Sequence, residues 1–119
     1  MSTTIAPTGT MHLEKECSAY TGAAGAFCTI VASDFDAIPI GSKVVYRDAA
    51  NASGGLDCDI VVETPGGGSV NGHVVLDGST QAGTVTLRGG TGEFAALSAD
   101  LVVAHTTGVN YTWEGSYSA

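Results

Sequence analysis

The residues of this chain that could do chemistry are three histidines, three cysteines and a scattered set of carboxylates and tyrosines. His12 and Glu14 stand two residues apart, the spacing that puts both side chains on one face of a strand. His73 lies in a similar alternating stretch beside Asn71. A carboxylate and imidazoles gathered in a desolvated space can move a proton in a reacting substrate. Glu14 is therefore the candidate acid/base, with His73 and His12 as its candidate catalytic partners. A carboxylate enclosed by apolar walls would be desolvated, and so readier to take up a proton. Tyr46 is a candidate hydroxyl donor. Tyr111 and Trp113 are candidate cavity walls, and Asn71 and Phe27 complete the candidate substrate-binding set. Each of these residues also has a purely structural reading.

Other chemistries are excluded by spacing. No Gly-x-Ser-x-Gly elbow is present. Gly89, Gly90 and Gly92 precede a β-rich run, whereas a dinucleotide site needs a helix there. The cysteines Cys17, Cys28 and Cys58 lack Cys-x-x-Cys spacing, and the three histidines fall on three separate runs, so no metal site and no cofactor are expected. Cys17 and Cys28 could face each other across a hairpin; reduced, buried thiols are the expected state.

Composition narrows the partners. The 119 residues carry 12 acidic and only 4 basic side chains, Lys15, Lys43, Arg47 and Arg88, for a net charge of −8. Nucleic acid and anionic membrane surfaces need a basic stripe, which four scattered cations do not supply. No apolar run approaches the ~20 residues that span a bilayer as a helix. Residues 1–7 have neither a basic region nor a long apolar core, so they do not read as a secretory signal, and a cytoplasmic chain is expected. The expected partners are a small hydrophobic ligand or substrate and further copies of this chain, as a dimer or trimer.

The elements that must position these residues are strands. Short β-rich runs recur at regular spacing, broken by Gly, Asn, Asp and Ser. Eight are predicted, at about Met11–Ala19, Ala26–Asp34, Lys43–Asp48, Leu56–Glu63, Val70–Asp77, Thr84–Arg88, Ser98–Ala104 and Asn110–Tyr117. Residues 1–10 read as a loose arm and 11–119 as one domain. Short connections imply antiparallel neighbours. Eight such strands leave two bare edges unless the last closes on the first, which predicts an all-β, eight-stranded up-and-down barrel; a two-sheet sandwich is the alternative. Period-two alternation points Cys58, Ile60 and Val62 inward, with Val85 and Leu87, and with Tyr111, Trp113, Gly115 and Tyr117. Two strands sort less cleanly. The first has His12, Glu14 and Glu16 against Met11, Leu13, Lys15 and Cys17. The fifth has Asn71, His73, Val75 and Asp77 against Gly72, Val74 and Leu76. A lumenal polar face would bring titratable groups inside; a solvent-facing one would merely solubilise.

Several segments carry a likeness: Gly41-Ser42-Lys43-Val44-Val45-Tyr46, Gly72-His73-Val74-Val75-Leu76-Asp77-Gly78, Gly89-Gly90-Thr91-Gly92-Glu93-Phe94 and Trp113-Glu114-Gly115-Ser116-Tyr117. Together they resemble the allene oxide cyclase-like barrels, over most of the chain from about residue 11 onward. The Gly89–Phe94 turn is the most specific part. The resemblance implies a calyx-like barrel, often oligomeric, with an elongated cavity. Relatives of that kind include plant cyclases of epoxide-derived fatty acids, bacterial cyclases that close polyketide rings, and dirigent proteins. The plant enzymes place a Glu and an Asn two residues apart on the first strand, where this chain has His12-Leu13-Glu14. Their Cys and Tyr near the epoxide have no matching positions here, so allene oxide cyclisation itself is not expected. Phe94 and Leu97 are expected to plug one end of the barrel.

The functional expectation is a cofactor-independent cyclase or isomerase acting on a small, hydrophobic, natural-product-like substrate. Such a lumen would hold a flexible substrate in its reactive shape. The alternatives are a non-catalytic small-molecule binder or dirigent-like template, and a structural subunit with a filled lumen.

Overall fold

The structure, a computed structural model, describes residues 8–51 and 55–119. Eight antiparallel strands run β1 (Thr8–Glu16), β2 (Phe27–Ser33), β3 (Lys43–Tyr46), β4 (Leu56–Glu63), β5 (Ser69–Leu76), β6 (Gly83–Gly90), β7 (Ser98–Thr107) and β8 (Asn110–Ser118). Each pairs with its neighbour in sequence, and β8 closes on β1 to complete the barrel. The closing register runs from Thr8 opposite Ser118 to Glu16 opposite Asn110. Closure leaves no bare edge on which another strand could pair. β1 begins at Thr8, so residues 8–10 belong to the barrel; residues 1–7 of the expected arm lie outside the described residues.

Alternation fills the interior. Met11, Leu13, Val44, Ile60, Val62, Val74, Val85, Leu87, Val103 and Trp113 are essentially solvent-free. Val, Ile and Leu at these positions suit a pleated surface buried on one side. Gly72 also faces this crowd: a Cβ there would stand 2.9 Å from Leu87 Cδ2 and 3.2 Å from Ile60 Cγ1.

The two ends differ. One is formed by the starts of β1, β3, β5 and β7 and is sealed by apolar side chains. Phe35 and Ile38, between β2 and β3, are buried there, and so are Phe94 and Leu97, between β6 and β7. Phe35 packs edge-on against Tyr117, with ring centroids 4.9 Å apart. The Gly89–Phe94 segment makes this closure possible. β6 carries one extra residue relative to β5 between Leu87 and Gly90. Gly89 absorbs that bulge in the left-handed region, at φ 77°. Gly90 must be bare, because a Cβ would fall 2.2 Å from the Ser69 carbonyl oxygen. The chain then makes a 3-10 turn over Gly92–Phe94 that drops Phe94 into the core. This is the expected plug.

One expectation is corrected and one open question is resolved. Cys17 and Cys28 are joined as a disulfide, not held as reduced thiols. The β1–β2 register explains it: Lys15 stands opposite Ile30 and Glu16 opposite Thr29, so the next step brings Cys17 opposite Cys28. Their Cα atoms are 4.3 Å apart, close to a non-hydrogen-bonded antiparallel pair. Cys58 is free and buried. The open question over β1 and β5 resolves with the polar faces outside. Met11, Leu13 and Lys15 are buried while His12 is exposed, and Val70, Val74 and Leu76 are buried while Asn71 is exposed. The apolar set wins because it recovers more free energy by leaving water.

Candidate functional site

The polar centre of the lumen is Lys15. It is 3% exposed, and it follows from the same alternation that buries Met11 and Leu13 on β1. β1 keeps that phase although β2 bulges by one residue at Val31. The Lys15 ammonium hydrogen-bonds the Tyr46 hydroxyl. Its Nζ lies 5.1, 5.3 and 5.2 Å from the ring centres of Tyr46, Tyr111 and Trp113. Those distances are within cation–π range. No carboxylate is ion-paired with it among the described residues. Ring faces replace hydration poorly, so burial lowers the Lys15 pKa from 10.5 to about 7. Burial also pushes the Tyr46 phenol well above its ordinary value, with smaller contributions from Tyr20 and Cys58. Tyr46 therefore stays protonated and able to donate.

A cavity of about 70 Å³ opens beside this amine. Tyr20, Gln81, Leu56 and Leu76 bound it on the side away from the sealed end. The Tyr111 hydroxyl donates to Gln81 Oε1 at 2.7 Å. Gln81 in turn donates from Nε2 to the Gly78 carbonyl at 2.8 Å, and its backbone sits at φ 58°. Tyr20 packs on Tyr46 with centroids 4.9 Å apart. Two buried polar atoms are unsatisfied here: the Tyr20 hydroxyl, on the cavity wall, and Trp113 Nε1, on the ring beside Lys15. Buried donors without partners are rare in folded proteins because each costs about 1–3 kcal/mol. The cavity exceeds the ~10–15 Å³ that one water needs. Tyr20, Gln81 and Tyr111 are only half-buried, so the chamber lies under a thin wall.

Three sequence candidates surround the Lys15 ammonium: Tyr46, Tyr111 and Trp113. The other five are on the outer surface. Glu14 accepts a hydrogen bond from Asn110 Nδ2 at 2.7 Å. His12 lies 3.5 Å from Glu114, and its backbone N–H donates to Asp34 at 2.7 Å. Asn71 is exposed. Phe27 lies beneath Lys43, whose Nζ is 4.7 Å from the ring centre. His73 bridges two carboxylates across the outside of β4 and β5, with Nδ1 2.9 Å from Asp59 and Nε2 2.6 Å from Asp57. Hydrogen bonds to Asp59 and then Asp57 raise its pKa. The expected lumenal trio of Glu14, His12 and His73 is therefore not assembled: the three stand on the outer face, because Met11, Leu13, Val70 and Val74 take the inner one. Among the described residues no His, Cys, Asp and Glu group is arranged to hold a metal.

Sequence reasoning passed over Lys15, Tyr20 and Gln81. For Lys15 a signal existed, since alternation already set it with Met11, Leu13 and Cys17. Tyr20 and Gln81 sit in loops, where no periodicity reports direction. No described helix is long and apolar enough to cross a membrane. Comparison with protein-family models, with curated proteins and with solved structures returns no match.

Proposed function

We propose that this chain is a small-molecule-binding barrel whose site is the chamber around Lys15. The occupant is a compact ligand that presents a carbonyl oxygen to Lys15, Tyr46 and Tyr20 and rests its apolar part on Leu56 and Leu76. The observation that carries this reading is the pairing of a buried amine lacking a counter-ion with an unsatisfied tyrosine hydroxyl on one cavity wall. Polar groups left unpaired in a fold cost stability, and a ligand that satisfies them recovers it.

This is the binding alternative among the expected functions. A cyclase or isomerase for a natural-product-like substrate would need room to fold that substrate. The interior between Trp113 and Phe94 is occupied by Met11, Leu13, Val74, Leu87 and their neighbours, and the remaining chamber measures about 70 Å³. The expected carboxylate base, Glu14, also lies outside.

Trp113 is the sole tryptophan, and its ring lies beside Lys15, so its fluorescence reports on the chamber. Titration with small ketones should give a saturable change that is lost in Lys15→Met. Absence of a saturable change across a panel of short ketones, aldehydes and carboxylates would refute the reading.

A further inference from the structure

We infer that Lys15 takes its ligand covalently, as the imine of a small aldehyde or ketone. This rests on the binding reading above and goes beyond it by naming the reactive atom and the ligand's functional group. Three observations converge on Nζ of Lys15. It is the one basic side chain in the lumen among the described residues, with Lys43, Arg47 and Arg88 all exposed. It adjoins a cavity large enough for a few heavy atoms. It is hydrogen-bonded to a phenol, Tyr46, whose proton is retained because burial disfavours the phenolate.

The bond changes balance without a further reagent. The neutral amine's lone pair attacks the carbonyl carbon, and the carbonyl π pair moves to oxygen. Tyr46 donates its hydrogen bond to that oxygen as negative charge develops there. A proton passes from nitrogen to oxygen, giving a carbinolamine. A proton taken up from solvent protonates its hydroxyl, water leaves, and the nitrogen lone pair forms the C=N bond. The product iminium then faces Tyr111 and Trp113, whose rings already suit a cation at this position. An ordinary lysine at neutral pH is neutral in only roughly one molecule in 2,500. Desolvation of Lys15 brings its pKa to about 7, so about half the population carries a free lone pair there. Burial raises the pKa of the neighbouring phenols Tyr46 and Tyr20, so neither supplies a negative charge that would hold the ammonium, and no carboxylate is ion-paired with it among the described residues.

The test uses the chain with its disulfide intact, incubated at pH 7 with butanal and sodium cyanoborohydride, then digested and mapped by mass spectrometry. Reduction of the imine leaves a butyl group, and exposed Lys43 is the internal control. The expected result is modification of Lys15 at least ten-fold faster than Lys43, with the ratio falling as pH rises toward 10. Labelling of Lys43 with Lys15 untouched overturns the imine. Trp113 fluorescence, read in the same titration without reductant, separates the two proposals. A saturable change without a Lys15 adduct overturns the covalent step and leaves the binding reading standing. No change and no adduct overturn both. Lys15→Arg serves as the variant matched for charge: Arg keeps a cation but cannot form an imine, so it should abolish the adduct.

Discussion

Replacing Lys15 by methionine should make this protein more stable, and by an amount that depends on pH. Met has nearly the shape of the lysine stem and packs readily among aromatic rings. In the wild type the folded state resists carrying the buried ammonium, so its pKa falls from 10.5 to about 7. The unfolded chain therefore binds more protons between those two values, and stability rises with pH across that window. The penalty is full below about pH 7 and vanishes above about pH 10.5. Its whole size is roughly 5 kcal/mol, and about 2–3 kcal/mol of it is relieved between pH 6 and pH 9. Urea unfolding of both proteins at pH 6, 7, 8 and 9 measures this directly. The Met variant should be the more stable at pH 6, and its advantage should shrink by about 2–3 kcal/mol by pH 9. Two parallel stability curves would refute the reasoning, because they would mean that the Lys15 ammonium is solvated or paired in the folded state.

Further outcomes follow from other parts of the barrel. Protonated His73 donates hydrogen bonds to Asp59 and Asp57, which raise its pKa, so its stabilising contribution is full below about pH 6.5 and is lost as pH climbs through the raised value; His73→Asn should flatten that part of the stability profile by less than about 1 kcal/mol, given its exposure. Gly90→Ala should cost about 1–3 kcal/mol in urea unfolding, since the new methyl meets the Ser69 carbonyl oxygen at 2.2 Å and a backbone atom yields poorly; a neutral effect would show that the bulge is soft. Thiol titration of the denatured, unreduced chain should find Cys58 alone, because Cys17 and Cys28 are joined. Replacing Cys17 and Cys28 together with alanine should cost about 2–4 kcal/mol, and three titratable thiols in the wild type would contradict the bond.

Much of the barrel was legible from residue order. β4 reads Leu56, Cys58, Ile60 and Val62 against Asp57, Asp59 and Glu63, and the structure buries the first set and exposes the second. Charge and hydrocarbon separate so cleanly there that no other phase would fold. The Gly89–Gly90 pair marked its corner equally well, since only glycine tolerates both the positive φ of Gly89 and the close carbonyl beside Gly90. Less legible were β1 and β5, whose faces mix polar and apolar residues. On β1, a local reading makes Glu14 and Lys15 equal candidates for the lumen. Their neighbours break the tie, because Met11 and Leu13 share a face with Lys15 and carry it inside.

Residue order by itself thus determined the strands, their antiparallel order, most of the inward faces and the aromatic wall of Tyr111 and Trp113. These depend on local alternation and turn chemistry, which each segment carries alone. Only the tertiary structure decided that Tyr46, Tyr20 and Gln81 would close a chamber around Lys15 and that Cys17 and Cys28 would be joined. Those outcomes depend on closure and register. Tyr46 reaches Lys15 across 31 positions of sequence, and Tyr111 reaches Gln81 across 30. Such contacts exist only once several strands are paired in register, and then the free energy of the whole apolar interior holds one amine where, alone, it would never stay.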